Sequence, residues 1–377
     1  MAIIPSFFGE YAEQPVVQAM IDNSLDNLQG ESIWRDYLDI DMPQASLTFE
    51  QAIGRSRIEA AASIVDIDAP APLRGRNVLE LYGGKIPTMK EKFVLSQSEL
   101  RQLMALEESQ LLNGNGAVTA LVAKLYNDVA QAAVAGDRRV DIMLLQALST
   151  LTVDTSIGLN PDGAVYGVIN LLPKAYQIQG VPITWIANPT TATPIDDIEN
   201  FIEYITVNFG RGFGKIMMSQ TMWLQFRRMT QVIARIQTFF NVGKANASFA
   251  VTLSNVNDYF IANGWPPIEV VNVVRGVEQD GIITPFRPFV ENNISFVPNG
   301  KLGMLKNAFP MERKRPVVGK TYADFGPTLV TKWADDDPFR EYTGMEMNAF
   351  PAIDIDSVFV LTTNVVQASF TGGTISA

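Results

Sequence analysis

The sequence predicts an α+β fold with a long helical rod, strand-rich flanks and a compact α/β region. Three observations lead there. Residues 96–153 carry apolar side chains at helical spacing over an unusual length. Residues 189–271 alternate helix and strand patterns. Residues 46–95 and 281–377 are rich in β-prone runs and turn signals.

Residues 1–40 have mixed polarity. Ala19 to Leu28 suits a short helix, and Trp34, Tyr37 and Leu38 supply apolar anchors before Pro43. Such a stretch is an arm that needs something to lie against. Between 46 and 95 the chain is extended: Ser63 to Asp68 alternates, Pro70 and Pro72 interrupt the run, Asn77–Tyr82 resumes it and Gly83-Gly84 marks a turn. Lys85–Phe93, with Lys85, Lys90 and Lys92, is extended again. With few large apolar residues, this region is expected to be a long hairpin projecting from the body.

Ser96 or Ser98 caps the next helix, with Leu100, Leu103, Met104 and Leu111 as its expected buried side. Asn113 to Gly116 breaks it. A second helix follows through Val118, Leu121, Leu125 and Val129, continuing past Gly136 to Leu148 and Leu151. About 35 residues at ~1.5 Å each make a rod of about 50 Å, a spine. Val165–Leu172 and Tyr176–Trp185 are strand candidates.

At Thr193-Pro194-Ile195-Asp196 a hydroxyl, a proline and a carboxylate signal a helix start. Ile195, Ile198, Phe201, Ile202 and Ile205 form its apolar face, and Asp196, Asp197, Glu199 and Glu203 are expected to face away. Lys215–Met218 reads as a strand, Ser219 as the cap of a helix carrying Met222, Trp223, Phe226 and Met229, and 254–263 as a further helix. Ile268–Val271 is another strand. Ser357–Thr362 is apolar on both faces, as a central strand should be. Residues 371–377 read as a frayed tail.

The 377 residues include no cysteine and no histidine. That excludes disulfides, thiolate nucleophiles, imidazole bases and Cys- or His-based metal sites. An enzyme would have to work with carboxylates, Lys, Tyr, Ser or Thr. The charge of −11 argues against sequence-independent nucleic-acid binding. Charged residues make up 18%, below the usual roughly 25%, which suits either a large core or surface covered by neighbours. Residues 1–10 lack the pattern of a signal peptide, and no apolar run is long enough to span a bilayer.

No chemical motif survives inspection. Gly210 to Lys215 lacks the first glycine and the Ser/Thr of a phosphate loop and follows a helix, so it reads as a helix-to-strand turn. Asp335-Asp336-Asp337-Pro338 lacks calcium-loop spacing and reads as a helix cap. Glu312 to Pro316 is the densest basic run, a solvated loop or subunit contact before it is a polyanion site. Asp66 and Asp68 read as exposed strand carboxylates. Ser-x-x-Lys is absent.

The order of parts is arm, hairpin, spine, α/β domain, returning strands. It resembles the major capsid proteins of tailed bacteriophages, the HK97-like fold, and within them the phage lambda major head protein family. Trp34-Arg35-Asp36-Tyr37 is similar to the family's N-terminal segment. Ile64–Phe93, with Arg74-Gly75-Arg76 and Pro87, is similar to its E-loop, and Asp141–Leu148 to the end of its spine helix. Thr193–Glu199 resembles the start of its axial domain, and Ile216–Ser219 with Trp223, Phe226 and Arg227 the next step. The best single stretch is Lys332-Trp333 through Asp337-Pro338-Phe339-Arg340-Glu341-Tyr342-Thr343, followed by Ala349–Ala352 and the strand near Val358. These segments are collinear over some 330 residues.

The resemblance implies an arm over 1–45, an E-loop hairpin over 46–95, a spine-helix peripheral domain over 96–188, an axial domain over 189–324 and returning strands over 325–377. It implies a non-enzymatic subunit without cofactor or metal, assembling with itself as hexamers and pentamers into an icosahedral shell. The shell encloses viral dsDNA without sequence-specific binding. A scaffolding protein, a portal and a decoration protein are the implied helpers, and the arm's shortness leads us to expect the scaffold as a separate protein. The implied location is the virion, with the host cytoplasm during assembly and no membrane. Leu73, Arg74, Arg76 and Asn77 near the hairpin bend are expected at the subunit interface, where Arg pairs in bidentate fashion. So are Ile4, Phe7, Phe8 and Trp34, which anchor the arm, and Arg211, Phe213 and Lys215 on an axial-domain loop. An encapsulin-like cargo compartment and a carboxylate-dependent cytoplasmic enzyme are the alternative readings.

Overall fold

The computed structural model describes residues 3–23, 30–54, 79–111, 116–156, 158–161, 163, 167–240 and 250–371. The chain divides into two compact units. The first comprises Met1–Phe49, Gly83–Asp141 and Gly303–Ile353, the second Glu50–Tyr82, Ile142–Leu302 and Asp354–Ala377.

The first unit is organised by a seven-stranded sheet around one 15-residue strand, Phe339–Ile353. That strand is flanked antiparallel by Thr328–Asp336, by Thr88–Leu95 and by Gly303–Ala308. Thr321–Phe325 and Ile3–Ile4 extend the sheet along Thr328–Asp336, and Leu38–Ile40 runs parallel to Gly303–Ala308. Thr88–Leu95 is thus a sheet strand, whereas the sequence pattern assigned it to a projecting hairpin. The ribbon proper is Thr48–Gly54 with Leu79–Lys85.

Asp335-Asp336-Asp337-Pro338 caps no helix. Asp336 faces Phe339 in register, so Asp337-Pro338, joined by a cis peptide, is a two-residue hairpin turn. Proline at a turn between strands removes a donor that no ladder needs, and the same residues that signal a helix start therefore serve a hairpin equally well.

Helix Gln97–Leu111 begins with a capping box. Ser96 Oγ accepts from the Glu99 amide at 3.4 Å, and the Glu99 carboxylate accepts from the Ser96 amide at 2.8 Å. Leu100 is buried as expected, but Met104 is 43% exposed. The spine runs Gly116–Thr150, 35 residues without a break. Gly136 interrupts its sequence pattern without interrupting the helix. A Cβ there would lie 2.5 Å from Met347 Sδ and 2.8 Å from Met345 Cε, so the missing side chain lets the long strand approach. That gain offsets a helix penalty of about 1 kcal/mol.

The second unit holds a five-stranded sheet in the order Ile268–Val271, Lys215–Ser219, Asn293–Val297, Phe359–Val366, Ile178–Val181. The outer pairs are parallel and the inner ones antiparallel. Phe359–Leu361 is buried on both faces, as an interior strand requires. Helices Pro194–Phe209, Gln220–Phe226, Thr230–Phe239 and Leu253–Ala262 accompany the sheet. The expected single helix after Ser219 is two helices, with Met229 at the break. Ser219 caps the first, accepting from the Met222 amide at 3.0 Å. The Thr193 hydroxyl does not cap its helix; Gln231 Oε1 accepts from the Ile195 amide at 2.9 Å instead. The core joins helix and sheet through rings such as Phe201 against Phe296, 5.0 Å between centroids.

The C-terminal turn of the spine belongs to this unit, and its orphan carbonyls are met by the sheet. Ser295 Oγ donates to Leu148 O at 2.6 Å and Asn293 Nδ2 to Ser149 O at 2.7 Å, all buried. Leu151 closes the helix at φ +56°, a region that favours glycine, while its side chain is fully buried. Asn293→Ala with Ser295→Ala should cost about 1–3 kcal/mol per orphaned carbonyl. Urea unfolding monitored by tryptophan fluorescence measures it, with a lower midpoint as the expected outcome.

Candidate assembly surfaces

The arm was expected to be ordered by neighbouring subunits, yet its described part is bound by its own chain. Ile3 and Ile4 pair with Asp335 and Ala334. Glu341, on the long strand, accepts from the Ser6 hydroxyl and from the Phe7 amide at 3.0 Å. Its other partner is Lys332, whose Nζ lies 3.2 Å from Glu341 Oε1 and donates to Thr343 Oγ1 at 3.0 Å. Lys332 Nζ also sits 4.6 Å over the ring of Phe8. Both members of the ion pair are 1% exposed, and burial pulls the Lys332 ammonium below its usual range against the opposing pull of Glu341. Phe8 is buried here, whereas Ile4 and Phe7 are half-buried.

A second anchor lies at Ser32–Arg35. Asp137 on the spine accepts from Ser32 Oγ at 3.0 Å and from Arg35 at 2.7 Å, and Asp141, one turn on, accepts from the Trp34 amide at 2.9 Å. Burial raises the Asp137 carboxyl despite the guanidinium beside it. The Arg35 guanidinium in turn lies 4.5 Å over the Trp34 ring. Trp34 is fully buried. Phe8 and Trp34 are therefore intrachain core residues and offer no surface to a neighbour. This corrects their expected place at the interface; Ile4 and Phe7 keep part of their surface.

Arg211, Phe213 and Lys215 lie together on the second unit, between the αL helix cap Gly210 and the strand from Lys215. All three are half-buried. Arg211 reaches Asp356 at 3.4 Å, Lys215 reaches Glu269 at 2.9 Å, and Phe213 packs against Phe296 and Phe359. Leu73, Arg74, Arg76 and Asn77, like Asp66 and Asp68, lie outside the described residues.

Asp197 was expected to face solvent and is instead 3% exposed. The Trp185 indole donates to its Oδ2 at 2.7 Å, and the Thr193 hydroxyl lies 3.4 Å from its Oδ1. Burial pushes its carboxyl up to about 6, with a smaller upward push from Asp196, which itself pairs with Arg235 at 2.9 Å. The signal was present in the sequence. Asp197 stands four and eight residues before Phe201 and Ile205, on the buried stripe.

Among the described residues no cluster of three or more acidic side chains is placed to hold a metal ion. A cleft of about 370 Å³ in the first unit is lined by Lys90, Lys320, Glu312, Glu346 and Trp333. Lys90 pairs with Glu346 at 2.9 Å and Lys320 with Glu312 at 2.9 Å, so these charges neutralise one another. Among the described residues, no helix is long and apolar enough to cross a membrane.

No family model matches the chain, and no curated protein matches it. Solved structures do. A protein described as a prophage capsid protein from Escherichia coli CFT073 is similar at 15% identity over 75% of this chain and 79% of its own, with a TM-score of 0.48. A phage-related protein from Bordetella bronchiseptica RB50 is similar at 9% identity over 98% of this chain and 100% of its own, TM-score 0.47. The capsid of cyanophage A-1(L) is similar at 12% identity over 86% of this chain and 90% of that one, TM-score 0.44.

The buried Asp197 makes stability depend on pH with a definite sign. Its folded pKa of about 6 lies above the ordinary aspartate value of 3.8, so folding takes up a proton between these values. The destabilisation is absent below about pH 4 and complete above about pH 6, on the order of 2–3 kcal/mol. Asp197→Asn keeps an acceptor for Trp185 and removes the titration. Thermal melts should show the variant gaining on the wild type as pH rises from 4.5 to 7.5, with most of the gain reached by pH 6.5.

Proposed function

We propose that the chain is a self-assembling shell subunit, the major capsid protein of a tailed bacteriophage. The observation that carries the reading is the path of the chain. It forms an arm, a paired ribbon, a 35-residue spine and a separate unit with a five-stranded sheet, then returns with Gly303–Ala308 and Thr321–Ile353 to complete the first sheet. This is the order of parts that the sequence resemblance implies.

Physical chemistry supports the same reading. A two-stranded ribbon is marginal by itself, and the sequence between its strands carries Pro70 and Pro72, which remove ladder donors. A ribbon of this kind gains most by lying on another subunit. A charge of −11 suits a wall that must not grip the nucleic acid it encloses. Hexamers and pentamers of the chain would form the shell around dsDNA, helped by a separate scaffolding protein, a portal and a decoration protein, first in the host cytoplasm and finally in the virion. Leu73, Arg74, Arg76 and Asn77 would carry ribbon contacts, with Ile4, Phe7, Arg211, Phe213 and Lys215 as further contact positions.

Light scattering and negative-stain microscopy of the purified chain, across salt and with its scaffold, test the reading. Closed shells are expected, and Arg74→Glu with Arg76→Glu should abolish them while leaving the monomer folded. A stable monodisperse monomer under every condition contradicts the reading. Shells isolated from cells with an enzyme cargo and no viral DNA would replace it with a cargo compartment.

A further inference from the structure

The loop at residues 311–320 is braced from below and apolar on top. Glu312 accepts from Lys320 Nζ at 2.9 and 3.1 Å and from the Tyr322 hydroxyl at 3.0 Å. The same hydroxyl accepts from the Val317 amide at 2.9 Å. Arg313 pairs with Asp324. Gly319, at φ +90°, lies against Ile3, where a Cβ would come within 3.2 Å. This scaffold holds Val318 94% exposed and Met311 67% exposed, with Val317 beside them and the exposed cations Lys314 and Arg315 on the flank. A loop fixed this firmly with aliphatic side chains in water is pre-organised for a partner, because little ordering entropy remains to be lost on contact.

A surface of opposite character lies on the same unit. The hairpin turn presents exposed Asp336 and Asp337, with half-buried Asp335 beside them, and the half-buried rings of Phe339 and Phe7 stand edge to face at 6.5 Å. Arg340 faces Asp335 in register, so the turn carries three carboxylates against one guanidinium. The basic loop touches Ile3, and Ile3 pairs with Asp335, so loop and turn occupy neighbouring parts of one rigid sheet. A basic apolar knob beside an acidic aromatic seat is self-complementary: a two-fold axis between two copies sets each knob on the other's seat.

We propose that the 311–318 knob of one copy docks on the Asp335–Phe339 turn of a second copy. The inference rests on the shell-subunit reading and adds to it a specific contact. Charge complementarity selects the occupant: the turn concentrates acid where the knob concentrates base. A polyanion would use the cations but would leave Val318 and Met311 uncovered.

Charge reversal and rescue in the full-length chain test it, with folding of each variant checked by thermal melt. Lys314→Glu with Arg315→Glu, and separately Asp336→Lys with Asp337→Lys, should each cut shell yield by about tenfold or more in sedimentation assays. Combining all four changes should restore most of the yield, and Val318→Ser alone should lower it. Wild-type-like yield from either reversal overturns the contact, as does a quadruple variant no better than its parents. Reversal that abolishes retention on immobilised DNA while leaving shell yield unchanged assigns the knob to a polyanion and also overturns it. A wild-type chain that forms no shells defeats the parent reading, whereas wild-type shells with indifferent variants defeat this contact alone.

Discussion

The arm depends on one buried ion pair. Lys332 and Glu341 sit on adjacent strands, each 1% exposed, and neither charge would be tolerable there alone. The pair leaves acceptor capacity on Glu341, and the arm uses it through the Ser6 hydroxyl and the Phe7 amide. It leaves a cationic face on Lys332, and Phe8 covers it. Removing one partner of such a pair costs about 3–5 kcal/mol, because the other is left uncompensated. The first sheet therefore holds the arm in place through chemistry that water cannot replace, and Ile3–Ile4 continue the sheet as an edge strand.

The same logic recurs along the spine. A helix buried around most of its circumference has few places for polar groups, and each one present fixes a neighbour. Asp137 and Asp141 are spaced one turn apart and catch Ser32, Trp34 and Arg35 in the first unit. In the second unit the helix offers carbonyls, which Ser295 and Asn293 meet from the sheet. Apolar burial supplies most of the stability, while these directional contacts choose which segment lies where. The aliphatic top of the 311–318 loop, with Val318 94% exposed, is outside both sets of contacts.

Much of the fold was legible because it rests on periodicity. The spine, the Ser219 cap, the strand at Phe359 and the helix-to-strand turn at Gly210 follow from spacing and capping alone. What escaped was decided by long-range contacts. Asp197 carries a charge that normally marks the solvent face, and the Trp185 indole and the Thr193 hydroxyl make its burial tolerable. Asp337-Pro338 is a turn signal whose meaning depends on whether strand or helix follows. Thr193 lost its capping role to Gln231, which lies 36 positions beyond the Ile195 amide it accepts from. Among the interface candidates, large aromatic residues in a polar arm suggested a neighbour's surface. For Trp34 and Phe8 the receiving surface is on the same chain, formed by residues more than 100 and 300 positions distant. Local pattern carries no information about such partners.

The absence of cysteine, which removed so much chemistry from consideration, also offers a clean probe of the central claim that the arm is latched to its own sheet. Ile4 and Ala334 are register partners on antiparallel strands, a separation of about 4.5–5.5 Å that a disulfide spans. Cysteines at both positions, in an otherwise thiol-free chain, can be oxidised in the assembled particle and the particle then dissolved in denaturant without reductant. Electrophoresis should show a single-chain band with the mobility shift of an internal crosslink. A ladder of dimers and higher species would show the arm exchanged between copies and would contradict the latch.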